Sequence, residues 1–434
     1  MSVYDSLDSI TEELRKCMKC GNCQAVCPIY KESRQEVGAA RGKISLLEFF
    51  LSGELEMTKG LAERFSLCTT CMACNSSCPC GVRFDKIILA ARAESVRKTG
   101  LHPVKKIIFA ALKMQRVFDL GLKTGSIFQA VALKSIPNRH SKLARMRIDI
   151  GIGKDKVFPM LPSKTLRSEL PEVNTVNNPK MKVAFFTGCM INYFYTDIGR
   201  ALVEVLSEHD IEVVIPKDQA CCGIPASVNG DVGSARTLAK RNLRAFEKIG
   251  ADALVVACSS CGEAWKHVYG ELLESDPKFK PLADKWAAKS YDISEFLIHQ
   301  VSFKKEGLGR VSRKVTYHDP CHLNRGAGIS KEPREILKSI PGVELIEMKE
   351  AGRCCGMAGS FSLVHPDLSV QISDRKTADI AQTHTDTVAT GCPACRMQLQ
   401  SGIENANIDE EVLHTIQILA ESYRAGKIEL KHSN

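Results

Sequence analysis

Apolar and polar positions fall into three regimes along the chain. In the first, "GAARGKISLLEFFLSGEL" carries apolar residues at Ile44, Leu46, Leu47, Phe49, Phe50 and Leu51. That density suits a buried helix better than a strand. In the second, from His102 to Ser135, Lys and Arg alternate with apolar residues at helical spacing, Lys105, Lys106, Lys113 and Arg116 among Ile107, Ile108, Ala111, Leu112 and Met114. In the third, from Met181, short apolar runs alternate with helical stretches. "MKVAFFTGC" reads as a buried strand ending at Cys189, followed by a helix to about Leu206 and the strand "IEVVIP". A helix over roughly 232–249 and the strand "ADALVVAC" follow, and Cys261 opens a further helix. The order then returns in "KVTYHDPC", "VELIEM" and "DTVATGC". Strands alternating with helices predict two α/β units with mainly parallel sheets.

The cysteines change this picture most. There are 19 in 434 residues: nine from Cys17 to Cys80, none from 81 to 188, and ten from Cys189 to Cys395. The acidic, polar start has no apolar stretch of a secretory signal, and no run of about 18 apolar residues predicts a membrane span. A cytoplasmic location is expected, peripheral on the cytoplasmic face of a membrane if the chain docks there. In that compartment so many thiols point to metal rather than disulfides.

Two runs share one spacing. Cys17, Cys20, Cys23 and Cys27 precede Pro28; Cys68, Cys71, Cys74 and Cys78 precede Pro79. This is C-x2-C-x2-C-x3-C-P, the pattern of a protein holding two cubane [4Fe–4S] clusters, in which the fourth cysteine of each run serves the other cluster. One expected ligand set is Cys17, Cys20, Cys23 and Cys78; the other is Cys68, Cys71, Cys74 and Cys27. Zinc hooks do not stack three cysteines in this way before Cys-Pro. Cys80 is left over as a packed thiol.

The carboxy-terminal cysteines repeat at offsets of 132, 133, 133, 134 and 134 residues, which shows an internal duplication. Each unit supplies one cysteine, an adjacent pair, then C-x2-C, all at carboxyl ends of predicted strands, where open α/β sheets place ligands. In extended backbone, neighbouring side chains point to opposite faces. For Cys221 and Cys222 to reach one centre the chain must bend, and Gly223 gives that freedom; Gly356 stands likewise after Cys354 and Cys355. Five thiolates exceed the needs of a zinc ion or a closed cubane, so an opened cluster is expected. His318 and His322 flank Cys321 as candidate donors to cluster sulfur, and Arg353 as a cation near a cluster.

With its domain order, the chain resembles the CCG-domain iron–sulfur proteins. These are the heterodisulfide reductases and the iron–sulfur subunits of glycolate, lactate and anaerobic glycerol-3-phosphate dehydrogenases. "ARGKI" looks like the Arg-Gly segment of the glycolate oxidase subunits, whose C-x2-C ends are commonly incomplete; here "CSSC" and "CPAC" are intact. The resemblance implies a noncubane [4Fe–4S] cluster on Cys189, Cys221, Cys222, Cys258 and Cys261. A second would lie on Cys321, Cys354, Cys355, Cys392 and Cys395.

The expected fold is a multidomain α plus α/β chain: a helical two-cluster ferredoxin domain (1–100), a basic helical segment and linker (101–180), and duplicated CCG domains (181–305 and 306–434). The net charge of +9 is concentrated, since residues 97–147 hold twelve Lys or Arg against one acid. A membrane surface, a membrane cytochrome or a partner subunit fits that stretch; no nucleic-acid reader accompanies it. No G-x-G-x-x-G lies between a strand and a helix, so neither flavin nor NAD is expected. The functional expectation is an electron-transfer subunit between a flavoprotein dehydrogenase, or other redox subunits, and a quinone, disulfide or other acceptor. Catalytic disulfide reduction and electron supply to a low-potential acyl-CoA reductase are the alternatives.

Overall fold

The computed structural model describes residues 2–114, 121–122, 124–125, 129, 132–138, 141–147 and 156–433. The amino-terminal region is wholly helical. Helix Ala40–Leu51 buries Ile44 and Leu47 against helices Lys59–Ser66 and Phe84–Thr99. Phe49 and Leu51, counted with the apolar run in the sequence, face outward at 48% and 43% exposure.

The basic stretch is helical over Pro103–Lys113, with Phe109 buried against the first α/β unit and Val104, Ile107 and Ile108 exposed. Arg116 and Asp119 lie outside the described residues. Beyond the helix the structure departs from the expected helical linker. Strands β1 (Leu133–Ile136), β2 (Leu143–Met146) and β3 (Val157–Pro159) form a small antiparallel sheet. Its amphipathic pattern is too short to stand out, and it is held by packing on the carboxy-terminal unit, where the Val157 amide donates to Ser401 Oγ at 3.0 Å.

Strands β4 (Val173–Asn174), β5 (Met181–Phe185), β6 (Ile211–Val214), β7 (Ala253–Val256) and β8 (Ser290–Asp292) lie in the order β4-β6-β5-β7-β8. All pairs are parallel except β4 with β6. Strands β9 (Arg313–His318), β10 (Val343–Leu345), β11 (Thr387–Thr390) and β12 (Glu411–His414) follow in the order β10-β9-β11-β12, all parallel. The two parallel orders are identical, so the duplication in the sequence is a duplication of topology. The centre strands β7 and β11 are buried along their whole length, as strands covered on both faces must be.

The helical domain sits on both units. Arg236 of the first pairs with Asp5 at 2.6 Å, and Lys86 pairs with Glu271. Arg375 of the second pairs with Glu32 at 2.8 Å. None of the described helices is long and apolar enough to cross a membrane.

Candidate metal centres

The amino-terminal thiols converge on two small cavities. One is lined by Cys17, Cys20, Cys23, Cys74, Cys78 and Cys80. The other is lined by Cys27, Cys68, Cys71 and Cys74. Cys78 thus stands with Cys17, Cys20 and Cys23, and Cys27 with Cys68, Cys71 and Cys74. Local geometry makes this possible: Lys19, Thr70 and Met72 take left-handed backbone between the cysteines, so that each loop curls inward. Cys27 starts helix Pro28–Ser33, its sulfur accepting from the Tyr30 amide at 3.5 Å. Cys80 is not remote from the first cavity, as a purely packed thiol would be; it shares the wall.

The carboxy-terminal thiols form two chains of contact. In the first unit Cys189 meets Cys221, Cys221 meets Cys222, and Cys222 meets Cys261, which meets Cys258. In the second, Cys321 meets Cys354, Cys354 meets Cys355, and Cys355 meets Cys395, which meets Cys392. Gly223 (φ +88°) and Gly356 (φ +91°) turn the chain immediately after each adjacent pair. Crowding splits the acidities. Hydrogen bonds from Cys221 and then Cys261 pull Cys222 down to about 5. Bonds from Cys321 and Cys355 hold Cys354 well below the ordinary thiol value, and Cys258 and Cys395 do the same for Cys392.

Two contacts join the groups. Cys258 of the first unit bonds Cys392 of the second. Cys71 of the helical domain packs with Cys354 and Cys321. That junction is fastened by backbone: Arg325 Nη1 donates to the Cys71 carbonyl at 3.3 Å, and His322 Nε2 lies 3.2 Å from the Thr70 carbonyl oxygen. Cys71 thus touches the second unit, which lies farther along the sequence than the first.

The surroundings fit a polyanionic metal centre. Lys43 and Arg92 are buried beside Cys27 and Cys68, and among the described residues neither has a carboxylate partner. Buried charge without a counter-ion is strongly unfavourable. A four-iron cluster with four thiolates supplies the missing negative charge. The ten carboxy-terminal thiols, all buried except the half-buried Cys189 and Cys321, likewise have no disulfide and too few other partners; soft thiolate sets of this kind select iron–sulfur or zinc.

The histidines divide. A His318 ring nitrogen lies with the Cys355 and Cys395 sulfurs, all within 4.8 Å. Burial, then Lys376, lowers its pKa to about 3, so it is neutral. His322 is engaged with Thr70. Arg353 is paired with Glu350. At the position equivalent to His318, the first unit has Phe186, edge-on to Trp265 at 5.4 Å. His414, buried beside Cys392 with its pKa lowered to about 4 chiefly by burial, was not singled out by the sequence. Its signal was available: it ends β12, the last strand of the second sheet.

Family models place the same parts. A "Cysteine-rich domain" (CCG) matches residues 183–264 and 315–400, and a "4Fe-4S dicluster domain" matches 13–82. The probable glycolate oxidase iron-sulfur subunit of Bacillus subtilis is 30% identical over 94% of both chains. The chain belongs to the CCG-domain iron–sulfur oxidoreductase family. Other members of the CCG-domain family show comparable similarity. A subunit of the fumarate reductase (CoM/CoB) of Methanothermobacter marburgensis is 30% identical over 95% of this chain and 73% of its own length. A subunit of the dihydromethanophenazine:CoB–CoM heterodisulfide reductase of Methanosarcina mazei is 28% identical over 94% of both. A hypothetical protein from Helicobacter pylori shares the fold, with TM-score 0.55 at 10% identity over 97% of this chain and 74% of that one.

Proposed function

We propose that this member of the CCG-domain family is the electron-transfer subunit of a multi-subunit oxidoreductase. It would connect a flavoprotein partner that oxidises a 2-hydroxy acid or similar donor with a quinone, disulfide or other acceptor. Cys17, Cys20, Cys23 and Cys78 hold one cubane cluster, and Cys27, Cys68, Cys71 and Cys74 the other. The two five-cysteine sets, Cys189 to Cys261 and Cys321 to Cys395, hold one noncubane cluster each. Such clusters supply one-electron redox chemistry with little rearrangement.

The observation that carries this reading is the succession of sulfur groups. It runs from the Cys17 group through Cys71 to Cys354, and from Cys392 to Cys258. The protein's part is to keep the sulfurs close and in that order. Helix Pro103–Lys113 offers a docking face, with exposed Val104, Ile107 and Ile108 beside Lys106. A neighbouring subunit or the cytoplasmic membrane surface is the partner such a face suits.

Anaerobic purification and metal analysis test the assignment. Roughly sixteen irons per chain are expected for four four-iron clusters, and stoichiometric zinc in their place would end it. Reduction of the iron centres by substrate only in the presence of a co-purified flavoprotein is the expected functional result.

The intact "CSSC" and "CPAC" ends favour a second reading, reduction of a disulfide to two thiols with two electrons and two protons. Turnover of a disulfide by the isolated chain, with reduced viologen as electron source, would select it.

A further inference from the structure

Two buried cations distinguish one cubane site from the other. Lys43 is 1% exposed, and its Nζ donates to the Val37 carbonyl at 2.6 Å and the Gly38 carbonyl at 2.7 Å. The Gly38 carbonyl also accepts from Cys27 Sγ at 3.6 Å, so ammonium and thiol meet on one oxygen. Arg92 donates through Nη2 to the carbonyl of Cys68 at 2.7 Å and of Ser66 at 3.0 Å. Its Nε and Nη1 reach the Phe65 and Val228 carbonyls at 3.0 and 2.9 Å. All these acceptors are neutral.

Among the described residues the Cys17 group has no such pair. Its nearest cations, Arg41 and Lys19, lie at the surface and are matched by carboxylates, Glu36 at 2.7 Å and Glu48 at 2.7 Å. Solvent and these partners screen them; nothing comparable screens Lys43 and Arg92.

We infer that Lys43 and Arg92 are the resident counter-ions of the cluster on Cys27, Cys68, Cys71 and Cys74. They set its reduction potential above that of the cluster on Cys17, Cys20, Cys23 and Cys78. This rests on the ligand sets proposed above. A fixed positive charge in a poorly screened interior favours the oxidation state carrying one more negative charge. The favoured site for that charge is the one whose Cys71 packs on Cys354 and Cys321. Lys43 and Arg92 touch backbone oxygens of Val37, Gly38, Phe65, Ser66, Cys68 and Val228, not a substrate, and act on the cluster through their charge.

The test is a reductive titration of the anaerobic, iron-loaded protein followed by electron paramagnetic resonance. Two resolved cubane waves are expected. Lys43→Gln should move the higher wave to lower potential and leave the lower in place, while Lys43→Arg keeps both. Arg41→Gln should move only the lower wave, and by less. A single shared midpoint in the wild type, or Lys43→Gln shifting both waves alike or neither, overturns the inference. If Lys43→Gln does not load iron, the wild type and Arg41→Gln decide: a higher wave that follows Arg41 refutes it. Cys27→Ser separates this from failure of the ligand sets. It should delete the higher wave; deletion of the lower wave, with Lys43→Gln still shifting the higher, would sink the ligand sets and leave the tuning standing.

Discussion

The bend after each adjacent cysteine pair can be probed by giving its glycine a Cβ. Left-handed backbone costs an L residue about 1–2 kcal/mol. At Gly223 that is nearly the whole effect, since the nearest atom a Cβ would meet is the Ala235 carbonyl oxygen at 3.4 Å, ordinary contact. At Gly356 a Cβ would fall 2.7 Å from the Ser369 carbonyl oxygen. That oxygen belongs to helix Pro366–Ala381, and Ser369 Oγ donates to the Gly356 carbonyl at 2.9 Å, so the helix is tied where it must retreat. Forced overpacking adds about 1–3 kcal/mol. Gly223→Ala should therefore lose about 1–2 kcal/mol and Gly356→Ala about 2–5 kcal/mol. Anaerobic thermal melts report the difference, at roughly 1 °C per kcal/mol for a chain of 434 residues unfolding together, with iron content measured beside them. Both variants should retain the cubane signals. If Gly223→Ala is as damaging as Gly356→Ala, or both are neutral, the geometry of the adjacent pair is not what the glycines serve.

Three further outcomes are expected. Burial raises the Asp292 carboxyl to about 7 against about 3.9 unfolded, so the folded state holds a proton that the unfolded state releases. Stability from this group is complete below about pH 4 and is lost as pH rises through 7. Asp292→Asn keeps the cap on Ser294 and should flatten the fall in melting temperature between pH 5 and 8; an unchanged slope refutes it. His318→Phe copies the first unit's Phe186, and should alter the spectrum of only the second five-cysteine site while iron content holds; an identical spectrum would show that His318 does not interact with that site. Stripping iron with a chelator should lower the melting temperature and leave Lys43→Gln less affected than wild type, because the variant has one fewer buried charge to leave unmatched; equal losses would refute that.

Much of this site is written locally. Cysteine spacing announces the two gathered runs, and the nearly constant offsets announce the duplication, because thiols that share a centre must keep register with strand ends. Topology repeated with it: β6-β5-β7-β8 and β10-β9-β11-β12 are one arrangement made twice. What stayed hidden depends on contacts between distant segments. "ARGKI" could be noticed, but not that Lys43 is buried against the Gly38 carbonyl while Arg41 remains outside. Arg92, far along the chain, is recognisable as a partner of Cys68 only once helix Phe84–Thr99 is docked. The Phe186 and His318 contrast was readable by laying one repeat on the other. The sheet β1-β2-β3 was not, since three short strands in a Lys-rich stretch owe their form to the surface beneath them.

The contact of Cys71 with Cys354 has a bearing on biogenesis. A ribosome releases the first α/β unit well before the second, yet the helical domain's sulfur neighbour lies in the later one. A nascent polypeptide halted between them has its helical domain and first unit made but an open seam where Cys354 and Cys321 will pack. Loss of the carboxy-terminal third would therefore remove the sulfur on which Cys71 packs.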